Sequence, residues 1–178
     1  MRIRSLMICA VFTFTAACLS AYPGASEAAI PQTYSPSESE LWIKVDKEKL
    51  RISLRRGENE ILKSYPVAIG RGKGVKKTRA DLVTPTGVFK VWRVIQDASQ
   101  VAYDPKWFGE PGEPKKGAYG AKLVFFHNPW GIALHGTNAP GSIGRRVTHG
   151  CIRMHDKDII ELSKSIKPGM IFWIAEKG

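Results

Sequence analysis

Twenty residues carry the side chains best suited to covalent chemistry: His135-Gly136-Thr137 at one end and Thr148-His149-Gly150-Cys151-Ile152-Arg153-Met154 at the other. Cys151 is the only cysteine beyond the first twenty residues. A thiol attacks a carbonyl carbon readily once its proton is removed or its pKa is lowered. His135 closes the apolar run Ile132-Ala133-Leu134, a rigid placement for a base, and the Gly136 region is placed to hold its other ring nitrogen. Gly150 permits a sharp turn and a close approach of substrate to the backbone. The amides of His149, Gly150 and Cys151 can then converge on an oxyanion. Arg153, two residues beyond the thiol, would point to the same side of an extended chain, where its planar fork can grip a carboxylate.

The same residues admit blander and rival readings. Cys151 can be a small buried hydrophobe beside core histidines, and Arg153 can pair with Asp156 or Asp158. Cys151, His135, His149 and His155 can also be written as a metal set of one cysteine and three histidines, but the second cysteine of a typical structural site is missing. No metal and no cofactor are expected. Asp81, Asp97 and Asp104 show no paired-carboxylate spacing, which leaves glycoside hydrolysis without support. Arg71 to Arg79 holds five basic residues in nine, yet lacks the order of a phosphate loop. A solvated basic loop is its default reading, and contact with an anionic polymer is the alternative.

Several elements must position these groups. Met1-Arg2-Ile3-Arg4 followed by the apolar run Leu6 to Ala17 and the small-residue zone ending at Ala28 reads as a secretory signal over residues 1–28. Thr15-Ala16-Ala17-Cys18 offers lipid attachment at Cys18 as the second possibility. Residues 29–40 are polar and proline-containing and read as a linker. The domain expected over 41–178 is mostly β, a β-rich α+β unit with one principal C-terminal helix. Strands are expected at Leu41–Val45, Leu50–Leu54, Ile61–Ile69, Thr86–Val94, Leu123–Phe126, Ile132–Leu134 and Met170–Ala175. Pro66 should place its strand at an edge or at a bulge. The helix should be capped by Asp156, with Ile159, Ile160, Leu162 and Ile166 on one face. Residues 95–120, with Tyr103, Trp107, Phe108 and Tyr119 among glycines and prolines, are expected to form a lid or groove wall.

The chain of 178 residues carries 27 Lys and Arg against 16 Asp and Glu, and is 43% hydrophobic. That apolar content is enough for one packed core, and the +11 charge favours a polyanionic partner. Export argues against nucleic acid as that partner and points to anionic envelope polymer, with basic charge kept simply for solubility as the equal alternative. Without the leader Cys151 stands alone, so no internal disulfide is possible and the free thiol needs an explanation.

These motifs resemble the L,D-transpeptidases of bacterial cell walls, with the YkuD-type catalytic domain. The resemblance rests on His135-Gly136-Thr137-Asn138, Ser142-Ile143-Gly144, and Thr148-His149-Gly150-Cys151-Ile152-Arg153-Met154, in the family's order and spacing. Thr84-Pro85-Thr86-Gly87-Val88-Phe89 is similar to a second family segment. Some members carry Asn where Arg153 stands, and the basic segment Arg71 to Arg79 is longer than the corresponding turn in many.

The resemblance implies a compact sandwich-like or barrel-like catalytic domain. It implies a catalytic set of Cys151, His135, His149 and Gly150, with Arg153, Gly136, Thr137 and Thr148 about the substrate. Cys151 would attack the bond between the third residue of a peptidoglycan stem and its terminal D-alanine, and an amine of a second stem would resolve the thioester into a cross-link. Carbapenems would acylate Cys151. Resolution by water would make a carboxypeptidase or endopeptidase, resolution by a protein lysine a protein-to-wall ligase, and an inert Cys151 a peptidoglycan-binding module. Donor and acceptor stem peptides are the expected partners, with no nucleic acid. The mature protein is expected in the periplasm or cell envelope as a monomer without a membrane span.

Overall fold

The computed structural model describes residues 30–177; the leader expected over 1–28 and the lipid site at Cys18 lie outside the described residues. Among the described residues ten strands are present: β1 (Leu41–Asp46), β2 (Arg51–Arg56), β3 (Glu60–Pro66), β4 (Ile69–Gly70), β5 (Gly87–Ile95), β6 (Leu123–Phe126), β7 (Ala133–His135), β8 (Arg146–Thr148), β9 (Ile152–Arg153) and β10 (Ile171–Ala175). The single α-helix in the same span is α1 (Asp156–Ser163). The mostly-β architecture with one principal helix is the one the sequence leads to. No helix among the described residues is long and apolar enough to cross a membrane.

Eight strands form one mixed sheet in the order β3-β2-β1-β10-β5-β6-β7-β9, and β4 pairs with β8 in a separate ribbon. The hairpin β1–β2 is antiparallel from Leu41↔Arg56 to Asp46↔Arg51, and the Asp46 carboxylate accepts the Lys49 N–H at 2.8 Å inside its turn. β10 lies in the middle of the sheet, parallel to β1 and antiparallel to β5. The strand expected over Ile61–Ile69 divides in two. Pro66 ends β3 at the sheet's outer edge, as a residue without an N–H requires, and the chain turns away there.

That departure curls the sheet. Two residues after Pro66, Ala68 exchanges a pair of 2.8 Å hydrogen bonds with Arg153 of β9, the strand at the opposite edge. The two ends of the sheet are thereby drawn together around one core, which gives the barrel-like form. Alternate residues point inward from each strand: Ile43 and Val45, Ile52 and Leu54, Phe89 and Val91, Val124 and Phe126, Phe172 and Ile174. Phe126 stacks on Phe172 at 4.6 Å and meets Phe89 at 5.3 Å.

α1 closes this core with Ile159 and Leu162, joined by Ile166 just beyond it. Ile160 does not share that face and is 40% exposed, because a step of one residue rotates the side chain about 100° around the helix. The expected cap also differs. His155 is the N-cap residue, without a side-chain bond, and the Asp156 carboxylate accepts the Thr137 N–H at 2.8 Å instead.

A second, smaller core lies on the other face of the sheet, where Leu123 of β6 and Ala133 of β7 meet Ala98 and Tyr119 from residues 95–120. This long segment is ordered by its own bonds, as its aromatics suggest. Tyr103 and Lys115 exchange two 2.8 Å backbone bonds, and Pro105–Phe108 forms a 3-10 turn capped by Asp104. Residues 30–40, expected as a linker, carry no regular structure but lie against the domain. The Val88 N–H donates to Pro31 O at 2.7 Å, and Tyr34 packs edge-on to Trp42 at 5.6 Å.

Candidate active site

The turn between β8 and β9 carries Cys151, and two threonine hydroxyls set its shape. Thr148 Oγ1 donates to Cys151 O at 2.6 Å and accepts the Gly150 N–H at 3.1 Å. Thr84 Oγ1 donates to Gly150 O at 2.7 Å and accepts the Gly70 N–H at 2.8 Å. Gly150 has φ +126, and a Cβ there would lie 2.7 Å from Val83 O and 2.8 Å from Ile132 Cδ1, so only glycine fits without strain. The three-amide oxyanion site expected from sequence loses one donor, since the Gly150 N–H is held by Thr148. The amides of His149 and Cys151 remain.

β7 runs parallel to β9 with His135 opposite Arg153, which brings the histidine beside the thiol turn. His135 Nδ1 lies 2.6 Å from Gly136 O. Only a protonated nitrogen can make that bond to a carbonyl, so Nδ1 carries the hydrogen and Nε2 is left as a bare acceptor. Burial lowers the His135 pKa to about 4; the Gly136 bond opposes this and the Arg153 charge adds to it. Burial also pushes the Cys151 thiol up, against the Ala133 backbone amide and the charges of Arg153 and Lys76. Both groups therefore rest neutral near pH 7, as a thiol and a free base.

Three residues expected about the substrate have other partners. The Gly136 carbonyl orients His135, its N–H bonds Lys122 O at 3.0 Å, and any Cβ there would collide with the Asp156 carboxylate. Thr137 is buried, donating its N–H to Asp156 and accepting the Ala139 N–H. Thr148 borders the cleft, but its hydroxyl is committed to the turn. These three shape the site without offering a free group to a ligand.

Arg153 does face the cleft. It forms no ion pair with Asp156 or Asp158; its Nη1 donates to Ser142 Oγ at 3.0 Å, and its Nε is buried without a partner. Among the described residues no three His, Cys, Asp and Glu side chains gather as a metal-ligand set.

The cleft has a volume of about 260 Å³, and Cys151, His135, His149, Arg153, Tyr103 and Tyr119 are among the residues that line it. Residues 95–120 form its wall and are fastened to His149. Glu110 Oε1 accepts from His149 Nε2 at 2.7 Å and from Arg71 Nη2 at 2.9 Å. The His149 bond and then the Arg71 charge hold the Glu110 carboxyl below its usual range. Phe108 packs on the His149 ring at 4.8 Å, and Tyr103 stacks on it at 5.9 Å. Tyr119 stands edge-on to His135 at 5.0 Å.

Two groups escape the sequence reading. Lys76, within the run whose default reading is a solvated loop, is 5% exposed and bonds Asp81 Oδ1 at 2.7 Å behind the Gly150 turn. Burial works against the Asp81 charge; the Lys76 ammonium and the amides of Thr78, Lys77 and Val83 overcome it and hold the carboxyl well below the usual range. An aspartate closing a basic run was the one signal for this pair. Glu110 carried none, since its partners lie 39 residues away on either side.

Comparison with known proteins converges on one family. The model of the L,D-transpeptidase catalytic domain, YkuD, matches residues 40–174. The YkuD protein of Bacillus subtilis is 35% identical over 127 residues, which cover 71% of this chain and 60% of that one. The chain spans 45% to 60% of the length of the curated relatives it matches. Among solved structures, L,D-transpeptidase LdtMt1 in complex with imipenem superposes with TM-score 0.58 at 20% identity, over 76% of this chain and 58% of that one. The catalytic domain of the E. faecium L,D-transpeptidase gives TM-score 0.55 at 20% identity, over 78% of this chain and 99% of that domain. At such identities the structures establish the fold.

Two outcomes follow from the electrostatics. Between about pH 4 and the ordinary histidine value near 6.5, the unfolded chain binds a proton at residue 135 that the folded chain does not. Stability therefore rises with pH through that window and falls on acidification, by on the order of 3 kcal/mol once pH drops below 4. His135→Gln should remove this component, seen as a flatter pH dependence of the urea midpoint than in wild type. Lys76→Met should raise the thiol pKa, so that alkylation of Cys151 by iodoacetamide slows several-fold at pH 8 and its midpoint moves to higher pH. An unchanged pH profile would separate Lys76 from the thiol.

Proposed function

The chain belongs to the family of L,D-transpeptidase catalytic domains, and from that premise we propose that it cross-links peptidoglycan stem peptides through a thioester on Cys151. The observation that carries this reading is a thiol sharing one cleft with a histidine whose Nε2 is bare and with an arginine that has no acidic partner among the described residues.

In the proposed cycle, Cys151 Sγ attacks the carbonyl carbon that joins the third stem residue to D-alanine, and the thiol proton passes to His135 Nε2. The amides of His149 and Cys151 receive the developing oxyanion. His135 returns the proton to the departing D-alanine amine, leaving a thioester. An amine of a second stem then attacks the thioester, gives its proton to His135, and expels the thiolate, which recovers a proton from the imidazolium. Starting from a neutral pair suits this sequence, because His135 must accept a proton and release it again within each half-reaction. Arg153 holds a stem carboxylate. Export by the leader over 1–28 would deliver the protein to the envelope, where such stems are found.

Purified protein incubated with a carbapenem should gain one covalent adduct by intact mass, absent in Cys151→Ala. With tetrapeptide stems, His135→Ala should lower turnover by about 10²–10⁴. Product masses discriminate the acceptor: a joined pair of stems marks the transpeptidase, a free tripeptide marks hydrolysis, and a conjugate marks ligation to a protein lysine. Arg153→Lys keeps the charge but loses the planar fork. It should lower kcat/KM for tetrapeptide by one to two powers of ten, about 1.5–3 kcal/mol, while leaving iodoacetamide alkylation near wild type. Normal stem turnover in that variant would make Arg153 a purely structural residue.

A further inference from the structure

We infer that a second, aromatic cleft on the same face binds the glycan to which the stem is attached. The inference rests on the stem-peptide reading above for its choice of ligand, and on the following geometry for its place. A cavity of about 210 Å³ is lined by Arg79, Trp107, Phe108, Phe125, Trp130 and Gly131. Through Trp107, Phe125 and Gly131 it shares its wall with a narrower apolar passage of about 90 Å³ that ends at Cys151. Cys151 thus lies between the polar cleft of Arg153 and an aromatic one. Three stem residues in extended form span about 10 Å, so a stem whose third carbonyl meets the thiol carries its sugar a short distance away.

The lining fits a saccharide. Pyranose rings present apolar C–H faces and hydroxyl edges, and rigid aromatic faces beside a planar donor match both. Trp130 is fixed, with its Nε1 donating to Lys77 O at 3.2 Å. Arg79 Nε donates to Trp130 O at 3.1 Å, which leaves its terminal nitrogens for ligand oxygens, and it forms no ion pair among the described residues. Trp107 is 51% exposed. Trp92, 45% exposed, packs on Phe125 at 5.5 Å and carries the aromatic surface outward. Gly131, at φ +70, keeps the floor clear, since a Cβ there would touch Arg79 Nη2 at 3.4 Å. The basic run, already tied to the site through Arg71 and Lys76, thereby gains a further role: its last member, Arg79, borders the groove, with a charge that suits an acid-substituted glycan.

The test uses full-length exported protein and glycan strands stripped of all stem peptides, so that no turnover is required. Saturable binding, read by tryptophan fluorescence or calorimetry, is expected, weakened at least tenfold by Trp130→Ala and by Arg79→Ala. Arg79→Ala alters an exposed side chain and guards against misfolding of the tryptophan variant. Absence of saturable binding, or binding unchanged in both variants, overturns the inference. In parallel, tetrapeptide linked to its disaccharide should be turned over with at least tenfold higher kcat/KM than free tetrapeptide. Failure of the protein to process either stem would refute the transpeptidase reading and leave the glycan-binding result to stand or fall alone.

Discussion

Two hydrogen bonds between Ala68 and Arg153 hold together most of what the fold does. They join the chain leaving one edge of the sheet to the strand at the other. β9 is only two residues long and would be a weak edge by itself. Held between β7 and the Ala68 segment, it has backbone partners on both sides, and the turn that presents Cys151 starts from a fixed end. The neighbouring bonds from Ile69 to Arg145, Arg71 to Thr148 and Gly144 to Val67 extend the same seam. The thiol, the imidazole and the guanidinium are therefore referenced to one closed frame and not to three loops.

The local environment of the site is organised to keep charge off His135 and Cys151. Burial favours the neutral forms of both His135 and Cys151; the Arg153 charge acts on both, and the Lys76 charge on the thiol. A cation nearby makes an imidazolium harder to form and a thiolate easier. Lys76 can be buried because the Asp81 carboxylate pairs with it, and that carboxylate is in turn held ionised by three backbone amides, the arrangement a buried ion pair needs to be tolerated. An unpaired lysine at that depth would lose its proton or draw in water.

Much of this was legible in the chain because it depends on short-range pattern. Alternation located β5, short apolar runs bounded by polar turns located β1, β2, β6, β7 and β10, and Pro66 pointed to an edge because it lacks a donor. That Cys151 and His135 share one cleft could be read from residue types and spacing. What stayed hidden depends on distant partners. β4, β8 and β9 are two or three residues long and exist through their neighbours, so no periodicity marks them. Thr148, Thr137 and Gly136 looked like groups facing a ligand, yet their polar atoms meet the fold itself. The capping role expected of Asp156 was displaced because Thr137 offered its N–H from across the sheet. Helical spacing placed Ile159 and Leu162 correctly; Ile160 is as apolar as they are, but its neighbours on the helix are Asp156, Lys157, Ser163 and Lys164, and it faces outward.

The strand that comes last among those described occupies the middle of the sheet. β10 separates β1 from β5, so within the sheet these two strands are joined through Ile171–Ala175, while the Ala68–Arg153 seam closes the opposite side. Such pairings are far apart along the chain, and sheets built on them assemble slowly. During synthesis the hairpin β1–β2 would wait, half-made, while the segments bearing the histidine and the thiol emerged behind it. Completing the barrel therefore takes two closures, the insertion of β10 and the Ala68–Arg153 seam, and the residues that line the cleft are held between them.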